Sequence, residues 1–554
     1  MKINNLVINN FRSIKNISVN LNDFTMFIGA NNSGKTNIID ALRIFYEKEI
    51  KFTPIKDLPK FSNNNNEDSW IEIEYTLSDD EYNNLREEYK VNRNFLKIRK
   101  YLKSSNSNLV KSNQSNLFAY EKDGLSNNLF YGAKNISEAK LGDIIYIPEI
   151  AKVDEYTKLS GPSAFRSLLE FVVKKVVKGS NSFDLLESAF LDFNENFKDE
   201  VSSDGLSIQG LVNDINNEIK DWDINFGIDV NQIKPEEIIK NLVKHYIEDK
   251  NLNGQKLDAT YFGQGLQRHL IYTLIKLSSK YKEAPKTKDK KEFNPDFTLM
   301  LFEEPEAFLH PGQQEILNLN LRDLAVEENQ QIIITTHSTH FVSNNFDEIP
   351  SIIRLSKNGP ETEKHQIDQE LLRSILEENL EIKNILGVSI DEKAAELEAI
   401  RYYLWLNPDR CCSFFAEKVL ICEGPSEKSL IDYLIKTKKI VLNDKVYIFN
   451  ADGKYGIHKY MSLFFNLGIK HGVLFDKDSD KGKHEKLNNF IRSKKNSLTI
   501  DMYCFNSDIE GFLEIEKPAN GSQKPFYILW DYQNNKISES KISDLNNIVQ
   551  KLLN

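Results

Sequence analysis

The chain has 554 residues, of which 40% are hydrophobic, 28% charged and 11% aromatic. This length is typical of about two to four domains, and the composition is that of an ordinary globular protein. No apolar run reaches the ~18 residues that a bilayer span needs, so we expect no membrane span and a cytoplasmic location. The four cysteines show no C-x-x-C spacing, which argues against a disulfide framework and a zinc site. The net charge of −11 does not exclude nucleic acid, because phosphate contact requires only a local basic surface.

A phosphate-binding loop lies near the N-terminus. Residues 29–36 read Gly-Ala-Asn-Asn-Ser-Gly-Lys-Thr, a complete G-x-x-x-x-G-K-[ST] motif. Residues 25–28 predict a strand before the loop and residues 37–45 a helix after it, the order that such a loop requires. Backbone N–H groups of the loop face the phosphates, the lysine neutralises their charge and the last hydroxyl binds Mg²⁺. We therefore expect an ATP site formed by Asn31, Asn32, Ser33, Gly34, Lys35 and Thr36, with Thr36 on the metal.

The residues around this loop indicate the kind of ATPase. Residues 2–8 and 17–21 predict two strands, joined by a turn at residues 9–15 that contains Asn10-Phe11-Arg12-Ser13. With Asn37 after the Gly-Lys-Thr, this opening resembles that of ABC-type ATPases of the RecF and SMC kind. Further strands are predicted at residues 70–75, 95–101 and 144–148, the last of them buried.

A helical stretch separates this first part from the next motifs. Residues 164–177, 182–198 and 208–219 predict three helices. Helices inserted between the two halves of an ATPase core form an arm or a dimerisation element, and these lack the sustained heptads of a coiled coil. We predict a compact helical dimerisation insert, with a structural spacer as the alternative.

A glycine-rich turn at residues 262–265 opens a predicted helix that runs to residue 277. In ABC-type ATPases a turn at this place, the signature motif, directs a helix N-terminus at the γ-phosphate held by the other subunit. By this resemblance Gly263 and Gly265 contact the nucleotide. The serine usual in the motif is absent here, which puts fast ATP turnover in doubt and leaves nucleotide sensing as the alternative.

The next two motifs carry the chemistry of ATP hydrolysis. Residues 297–302 predict a buried strand that ends in Glu303 and Glu304. A carboxylate at that place, Glu303, can hold Mg²⁺ through water, and the adjacent Glu304 can polarise the attacking water. Residues 332–334 predict another strand, and we expect His337 after it to contact the γ-phosphate.

A second site is indicated in the C-terminal part, where strands at residues 418–422, 446–449 and 472–475 alternate with helices. Such alternation predicts a parallel sheet, whose ligand sites lie at the carboxyl ends of the strands. Glu423 follows the first strand, and Asp476 and Asp478 follow the third. Oxygen ligands of this kind suit Mg²⁺ or Mn²⁺. A calcium loop fits less well, because the glycine at residue 482 comes one place late and residue 487 is a leucine.

One glutamate after the first strand and D-x-D after the third is the layout of a TOPRIM domain. Two more acids, Asp508 and Glu510, follow a fourth strand. Together with Glu427 they are enough to hold a second metal ion, and Lys524 could stabilise a pentavalent phosphate. This arrangement fits phosphodiester hydrolysis.

A RecF-like ATPase followed by a TOPRIM domain with E-G-P-S-E, D-K-D and D-I-E resembles the OLD (overcoming lysogenisation defect) nuclease family, including the nuclease subunit of the Gabija anti-phage system. The resemblance implies a homo-oligomeric (dimer or dimer of dimers) DNA endonuclease with two Mg²⁺ or Mn²⁺ ions, regulated by its ATPase. It leaves open a helicase or reverse transcriptase partner. By motif, the metal ligands are Glu423, Glu427, Asp476, Asp478, Asp508 and Glu510, and Lys524 is the catalytic lysine.

The predicted fold class is α/β, with an ABC-type ATPase, a helical insert and a TOPRIM domain. The predicted partition is ATPase at 1–160 and 246–360, dimerisation insert at 161–245, helical connector at 361–412 and TOPRIM nuclease at 413–554. The alternative is an SMC- or RecF-like DNA-repair ATPase whose TOPRIM domain only binds DNA or regulates, which would require missing acids. A topoisomerase or primase would need a further domain or a zinc module, for which the cysteine spacing is lacking.

Overall fold

The computed structural model describes residues 1–61, 67–149, 152–158, 200–222, 224–228, 244–280, 293–342, 346–385, 406–442, 445–478 and 482–554, with isolated residues between 165 and 193. The chain forms two compact units, Met1–Glu149 with Lys290–Asn554, and Ile150–Asp289. In the described part, no helix has the length and apolar character needed to cross a membrane.

The first unit begins with a six-stranded antiparallel sheet in the order β2-β1-β4-β5-β6-β7. Its strands are β1 (Lys2–Phe11), β2 (Ile14–Asn20), β4 (Ser69–Thr76), β5 (Phe95–Lys103), β6 (Leu117–Glu121) and β7 (Gly124–Leu125). The predicted strands are confirmed, but the predicted seven-residue turn between the first two is wrong. Phe11 and Ile14 are both buried, so β1 extends to Phe11 and β2 begins at Ile14. The turn between the two strands therefore consists of Arg12 and Ser13 alone.

A second six-stranded sheet carries the ATPase motifs. Its order is β14-β13-β3-β12-β11-β8. Its strands are β3 (Phe24–Ile28), β8 (Asp143–Ile147), β11 (Thr298–Glu303), β12 (Gln330–Thr335), β13 (Ile352–Asn358) and β14 (Glu361–Gln366). All neighbours are parallel except the β13–β14 hairpin. The carboxyl ends of β3, β11 and β12 therefore meet at one edge.

Two details of this sheet differ from expectation. The predicted buried strand near residue 144 is the edge strand β8, and only Ile144 and Ile147 of its five residues are buried. The sheet continues through β14, so the predicted start of the connector at residue 361 falls inside a hairpin. Helices of this part are α1 (Lys35–Phe45), α2 (Pro54–Asp57), α3 (Asp79–Asn83), α4 (Ile136–Ala139), α8 (Pro311–Ala325), α9 (Thr339–Val342), α10 (Gln369–Ile385) and α11 (Pro408–Cys411).

The C-terminal part of the same unit is a four-stranded parallel sheet in the order β16-β15-β17-β18. Its strands are β15 (Lys418–Cys422), β16 (Val446–Asn450), β17 (Lys470–Asp476) and β18 (Thr499–Phe505). Its helices are α12 (Pro425–Lys436), α13 (Lys454–Asn466), α14 (Gly482–Ser493), α15 (Ile509–Leu513), α16 (Lys524–Gln533) and α17 (Glu539–Leu553). The predicted alternation of strands and helices is confirmed. Buried apolar side chains such as Leu420, Leu474 and Leu545 form its core.

The second unit contains α5 (Val153–Thr157), α6 (Ile208–Ile219), the hairpin of β9 (Ile247–Asp249) and β10 (Gln255–Leu257), and α7 (Gln264–Lys280). The predicted helix at residues 208–219 is confirmed. The helix predicted to follow the glycine-rich turn is confirmed as well, and it continues to Lys280, three residues beyond its predicted end. Apart from isolated residues, the predicted helices at 164–177 and 182–198 lie outside the described part of the chain.

Candidate functional site

The phosphate loop joins the end of β3 to the start of α1. Its backbone takes positive φ angles at Gly29 (141°), Asn32 (65°) and Gly34 (109°), which favour glycine or asparagine. A Cβ atom on Gly29 would collide with the Leu355 carbonyl oxygen, and one on Gly34 would lie 2.5 Å from the Thr362 hydroxyl. Both glycines of the motif are therefore required by the close approach of β13 and β14 as well as by the turn itself.

Lys35 is folded back into the loop. Its Nζ donates to the backbone oxygens of Gly29 (3.0 Å) and Ala30 (3.2 Å). Burial lowers the pKa of Lys35 to about 8, while the nearby Glu304 and Glu306 carboxylates act in the opposite direction. A nucleotide phosphate would add the compensating negative charge, which fits the predicted role of this lysine.

Glu303, the last residue of β11, meets the loop at Thr36. The Tyr146 hydroxyl donates to Glu303 Oε2 at 2.6 Å, and the Thr36 hydroxyl also hydrogen-bonds this carboxylate. Burial raises the pKa of Glu303, against the effect of these two bonds. The Arg43 guanidinium covers the Tyr146 ring, 3.7 Å from its centroid. Sequence analysis missed Tyr146, because a contact between strands so distant in the chain leaves no local pattern.

Glu304 and His337 lie at the carboxyl ends of β11 and β12, and their side chains meet. His337 Nε2 is 3.3 Å from Glu304 Oε1. The buried Glu306, to which sequence analysis assigned no role, accepts hydrogen bonds at Oε1 from the Thr336 hydroxyl (2.8 Å) and from the backbone N–H groups of His337 (2.7 Å) and Ser338 (3.1 Å). Glu306 therefore holds the backbone that carries His337.

These groups surround one open cavity of about 630 Å³. Its lining includes Asn31, Asn32, Gly34, Lys35, Thr36, Glu303, Glu304 and His337, all of them predicted site residues. The buried Ser33 side chain does not line it. Gly263 and Gly265 lie in the second unit, where Gly263 precedes α7 and Gly265 is in its first turn. That volume is in the usual range for a small-molecule site.

The second group of predicted residues lies at the carboxyl ends of the TOPRIM strands. Glu423 follows β15, and its Oε2 accepts the backbone N–H of Asp476, the last residue of β17, at 3.0 Å. Glu427 lies in the first turn of α12, where its Oε2 accepts the Gly424 N–H at 3.0 Å. Asp478 follows β17 with a φ of 49°. The first and third strands thus bring their acids together as expected.

Burial and mutual repulsion both raise the pKa values of acids in this group. Burial raises the pKa of Asp476 to about 9, with further increases from Glu427, Glu423, Asp508 and Asp478. Burial also raises the pKa of Glu427 to about 7, with a contribution from Glu423. These carboxylates therefore lie close enough to influence one another's protonation.

The acids after β18 complete the cluster. Asp508 caps α15 by accepting the Gly511 N–H at 2.9 Å, and it pairs with Lys517. Although burial acts in the opposite direction, these bonds hold the pKa of Asp508 below its ordinary value. Glu510 is buried, and its Oε2 lies 3.4 Å from Lys524 Nζ. The predicted catalytic lysine therefore does reach the acidic cluster.

A second lysine joins the cluster from β16. The buried Lys454 places its Nζ 2.7 Å from Asp478 Oδ2 and 3.9 Å from Glu423 Oε2. It begins α13 directly after the Asp452-Gly453 turn that ends β16. Sequence analysis missed it, although a lysine at the carboxyl end of a strand in the same parallel sheet was a usable signal.

The residues of this cluster fit divalent cations. As their side chains stand, no three acidic, histidine or cysteine groups in the described part are arranged to hold one ion. Two buried carboxylate oxygens, Asp476 Oδ1 and Glu510 Oε1, nevertheless have no hydrogen-bond partner among the described residues. Such oxygens are costly without a cation, and hard oxygen donors suit Mg²⁺ or Mn²⁺.

Comparison with known families identifies both parts. The AAA ATPase domain family matches residues 1–342. The chain belongs to this family. A second match, to the TOPRIM domain of overcoming lysogenization defect protein-like proteins, covers residues 414–478 and includes Glu423, Glu427, Asp476 and Asp478. The predicted OLD-type combination of an ATPase with a TOPRIM domain is confirmed.

Three relatives named as nucleases align with most of the chain. Endonuclease GajA of Bacillus cereus strain VD045 is 24% identical over 91% of this chain and 81% of its own length. Endonuclease GajA of Bacillus cereus strain HuB5-5 is 22% identical over 84% of this chain and 72% of its own length. The Old nuclease of Escherichia phage P2 is 24% identical over 86% of this chain and 77% of its own length. An SMC head bound to the C-winged helix domain of ScpA aligns over 67% of this chain and 99% of its own at 14% identity, with a TM-score of 0.38, too low to establish a fold.

Proposed function

We propose that this protein is a metal-dependent DNA endonuclease of the OLD family, which nicks or cleaves DNA under the control of its ATPase part in bacterial anti-phage defence. The observation that carries the proposal is the buried cluster around Asp476, where acids from three strands converge with Lys454 and Lys524. The relatives named as endonucleases support the reaction class.

The acidic cluster accounts for the chemistry. Carboxylates of Glu423, Glu427, Asp476, Asp478, Asp508 and Glu510 would hold Mg²⁺ or Mn²⁺, two ions by the family resemblance. Such ions would activate the attacking water and stabilise the leaving oxygen. Lys524 would offset charge on the scissile phosphate, since its ammonium already lies beside Glu510. Lys454 would orient Asp478 and Glu423 through its ammonium group.

The ATPase cavity would bind ATP with Mg²⁺ as the regulatory ligand. Lys35 would neutralise the β- and γ-phosphates, and Thr36 and Glu303 would hold the metal ion. Glu304, which contacts His337, would polarise the attacking water, and His337 would contact the γ-phosphate.

We further propose a cytoplasmic homo-oligomer, a dimer or a dimer of dimers. An ABC-type site is completed by a second subunit, so Gly263 and Gly265 would face nucleotide held by the neighbouring copy, and the helical insert would join the copies. DNA is the proposed substrate, and a helicase or a reverse transcriptase encoded nearby is a proposed partner. A monomer by light scattering at micromolar concentration with ATP present would contradict this assembly.

The nuclease is tested with supercoiled plasmid and Mn²⁺. We expect wild type to nick or linearise the plasmid and Glu423→Ala and Asp476→Ala to be inactive, because each removes a metal ligand. Cleavage that survives either substitution would refute the site. If wild type binds ATP but cleaves neither plasmid nor linear DNA, the result would favour the DNA-repair ATPase with a non-catalytic TOPRIM domain.

The nucleotide site is tested separately. Lys35→Ala should abolish ATP binding, because it removes the cation that faces the β- and γ-phosphates. Glu304→Gln should bind ATP and retain it, because the attacking water is no longer polarised. Filter binding and single-turnover hydrolysis measure the two effects. Wild-type ATP affinity in Lys35→Ala, or wild-type hydrolysis in Glu304→Gln, would contradict these assignments.

A further inference from the structure

A histidine lies beside the acidic cluster of the TOPRIM part. His484 is in the first turn of α14, and its Nδ1 atom is 3.3 Å from Asp478 Oδ2. Sequence analysis assigned no role to this histidine, because only carboxylates and a lysine belong to the motifs that indicated the site. Asp478 is a proposed metal ligand, so the imidazole ring contacts a group that would itself bind a metal ion.

The ring of His484 directs one nitrogen inward. Its side chain is 36% exposed as a whole, but the Nδ1 atom is buried. Among the described residues this nitrogen has no hydrogen-bond partner of acceptable geometry, in spite of its closeness to Asp478. A buried ring nitrogen that has lost its water without gaining a hydrogen bond is costly, and a metal ion that accepts its lone pair would offset that cost.

The distance between the two donor atoms suits ligands of a single ion. In an octahedral site with metal–ligand distances of about 2.1 Å, neighbouring ligand atoms lie about 3 Å apart. The 3.3 Å between His484 Nδ1 and Asp478 Oδ2 is close to that separation. Lys454 Nζ, 2.7 Å from the same Oδ2, supplies the positive charge that a bound ion would bring. An oxygen and a nitrogen donor therefore already stand at the spacing of adjacent ligands.

A nitrogen ligand changes which ions the cluster prefers. Carboxylate oxygens suit Mg²⁺, Ca²⁺ and Mn²⁺, whereas imidazole suits the later transition ions. Affinity for oxygen and nitrogen donors rises from Mn²⁺ to Co²⁺, and Mg²⁺ gives up its water reluctantly. A site that includes His484 should therefore favour transition ions over Mg²⁺ more strongly than carboxylates alone would.

We propose that His484 is a nitrogen ligand of the ion held by Asp478, so that the site binds Mn²⁺ and Co²⁺ in preference to Mg²⁺. This proposal rests on the proposed metal-dependent nuclease function of the TOPRIM domain, and it adds a ligand and the class of ion that the site selects. The competing arrangement is an ordinary ion pair, in which His484 contacts Asp478 but never the metal ion.

The experiment uses the full chain without ATP, so that no ion is recruited with nucleotide. Binding of Mn²⁺ is followed by electron paramagnetic resonance, and Mg²⁺ and Co²⁺ are measured by competition. We expect His484→Ala to raise Kd by about tenfold for Mn²⁺, by more for Co²⁺ and by less than about threefold for Mg²⁺. Electron spin-echo modulation of bound Mn²⁺ should show a coordinated nitrogen in wild type and lose it in His484→Ala.

Two further variants make the comparison specific. His340 also places Nδ1 near a carboxylate, 3.1 Å from Glu315 Oε1, but in the ATPase part, so His340→Ala should keep the wild-type affinities and the nitrogen signal. His484→Asp replaces nitrogen with oxygen, and it should bind Mg²⁺ at least as well as wild type while losing the nitrogen signal. Equal Tm values of wild type and both His484 variants in EDTA would exclude a folding defect.

Equal losses of affinity for all three ions in His484→Ala, or no loss for any, would overturn the ligand role. A nitrogen signal that survives the substitution would overturn it as well, and would leave His484 as an ion-pair partner of Asp478. Failure of the proposed function is distinguishable, because wild type would then bind Mn²⁺ through nitrogen and still leave plasmid uncut.

Discussion

At the scale of single residues, Tyr146 determines how the ATPase glutamate is held. The ring packs under Arg43, and the hydroxyl donates to Glu303 Oε2 at 2.6 Å. Glu303 has a longer and more flexible side chain than aspartate, so a fixed donor restricts where its second oxygen can meet a metal ion. We therefore expect Tyr146 to position Glu303 for the Mg²⁺ ion of the proposed ATP site.

Tyr146→Phe removes this hydroxyl and keeps the ring. A hydrogen bond to a charged group contributes about 1.5–3 kcal/mol, so we expect about tenfold slower ATP hydrolysis and a higher Mg²⁺ requirement, with metal-free ATP binding little changed. Steady-state hydrolysis as a function of Mg²⁺ measures this. Tyr120→Phe, which removes a 2.8 Å bond to Glu72 in the antiparallel sheet, is the control. A wild-type Mg²⁺ profile in Tyr146→Phe would contradict the positioning role.

Lys454 serves the other site by neutralising two acids. Without it, Asp478 and Glu423 lose the cation that lies 2.7 Å and 3.9 Å from their oxygens. We expect Lys454→Gln to unfold at a lower temperature in EDTA, by an amount equivalent to about 2 kcal/mol, and to regain stability with Mn²⁺, which can take over the neutralisation.

The rise in Tm on adding Mn²⁺ should therefore be larger for Lys454→Gln than for wild type. Lys454→Arg keeps the charge and should behave more like wild type. Equal Mn²⁺-induced shifts in all three proteins, measured by differential scanning fluorimetry, would show that this lysine and the metal do not neutralise the same acids.

At the scale of elements, β17 contains a buried histidine that makes the TOPRIM sheet sensitive to acid. His471 Nδ1 donates to the Ile469 carbonyl oxygen at 3.0 Å, which leaves Nε2 to accept the Thr499 hydroxyl of β18 at 3.0 Å. Burial lowers the pKa of His471 to about 4. Since histidine in an unfolded chain has a pKa of about 6.5, the unfolded chain binds more protons between these two values.

The contribution of the neutral His471 to the free energy of unfolding is therefore complete above about pH 6.5. It decreases by up to about 3 kcal/mol as the pH falls to about 4. We expect His471→Asn to be less stable at pH 7 but to lose less stability than wild type between pH 7 and pH 5. Burial also lowers the pKa of His365 to about 4, but His365 remains in both proteins and cancels in the difference. Urea unfolding midpoints at pH 7 and pH 5 measure the loss of stability in each protein. Equal losses in wild type and His471→Asn would contradict this role of His471.

The elements themselves were largely predictable from the sequence. Strands such as β3, β11 and β15 are short apolar runs buried on both faces, and each ends in a motif whose residue types fit only a few kinds of chemistry. Tyr146 and Glu306 escaped prediction for a common reason. Each acts through a contact with a residue distant in the chain, and neither hydrophobic period nor motif spacing contains that information.

At the scale of the whole chain, one arginine links the ATPase sheet to the TOPRIM domain. Arg354 of β13 pairs in register with Ile28, the residue before the phosphate loop. Its buried guanidinium donates to four backbone oxygens beside the TOPRIM sheet at 2.9–3.2 Å. The acceptors are Phe414, Ala416, Leu467 and Gly468. Burial lowers the pKa of Arg354 to about 10, so it remains charged at neutral pH.

A shift of the phosphate loop on nucleotide binding would therefore reach the TOPRIM domain through β13. Arg354→Met keeps most of the volume but donates no hydrogen bond, so we expect ATP binding and Mn²⁺-dependent cleavage to persist while the effect of ATP on cleavage is reduced severalfold. Arg322→Met is the control, because Arg322 is half-buried and donates hydrogen bonds to Asn318 and to the Phe341 carbonyl within the ATPase part. The measurement is the ratio of plasmid cleavage rates with and without ATP. A ratio unchanged by Arg354→Met, or changed equally by Arg322→Met, would show that the two sites communicate by another route.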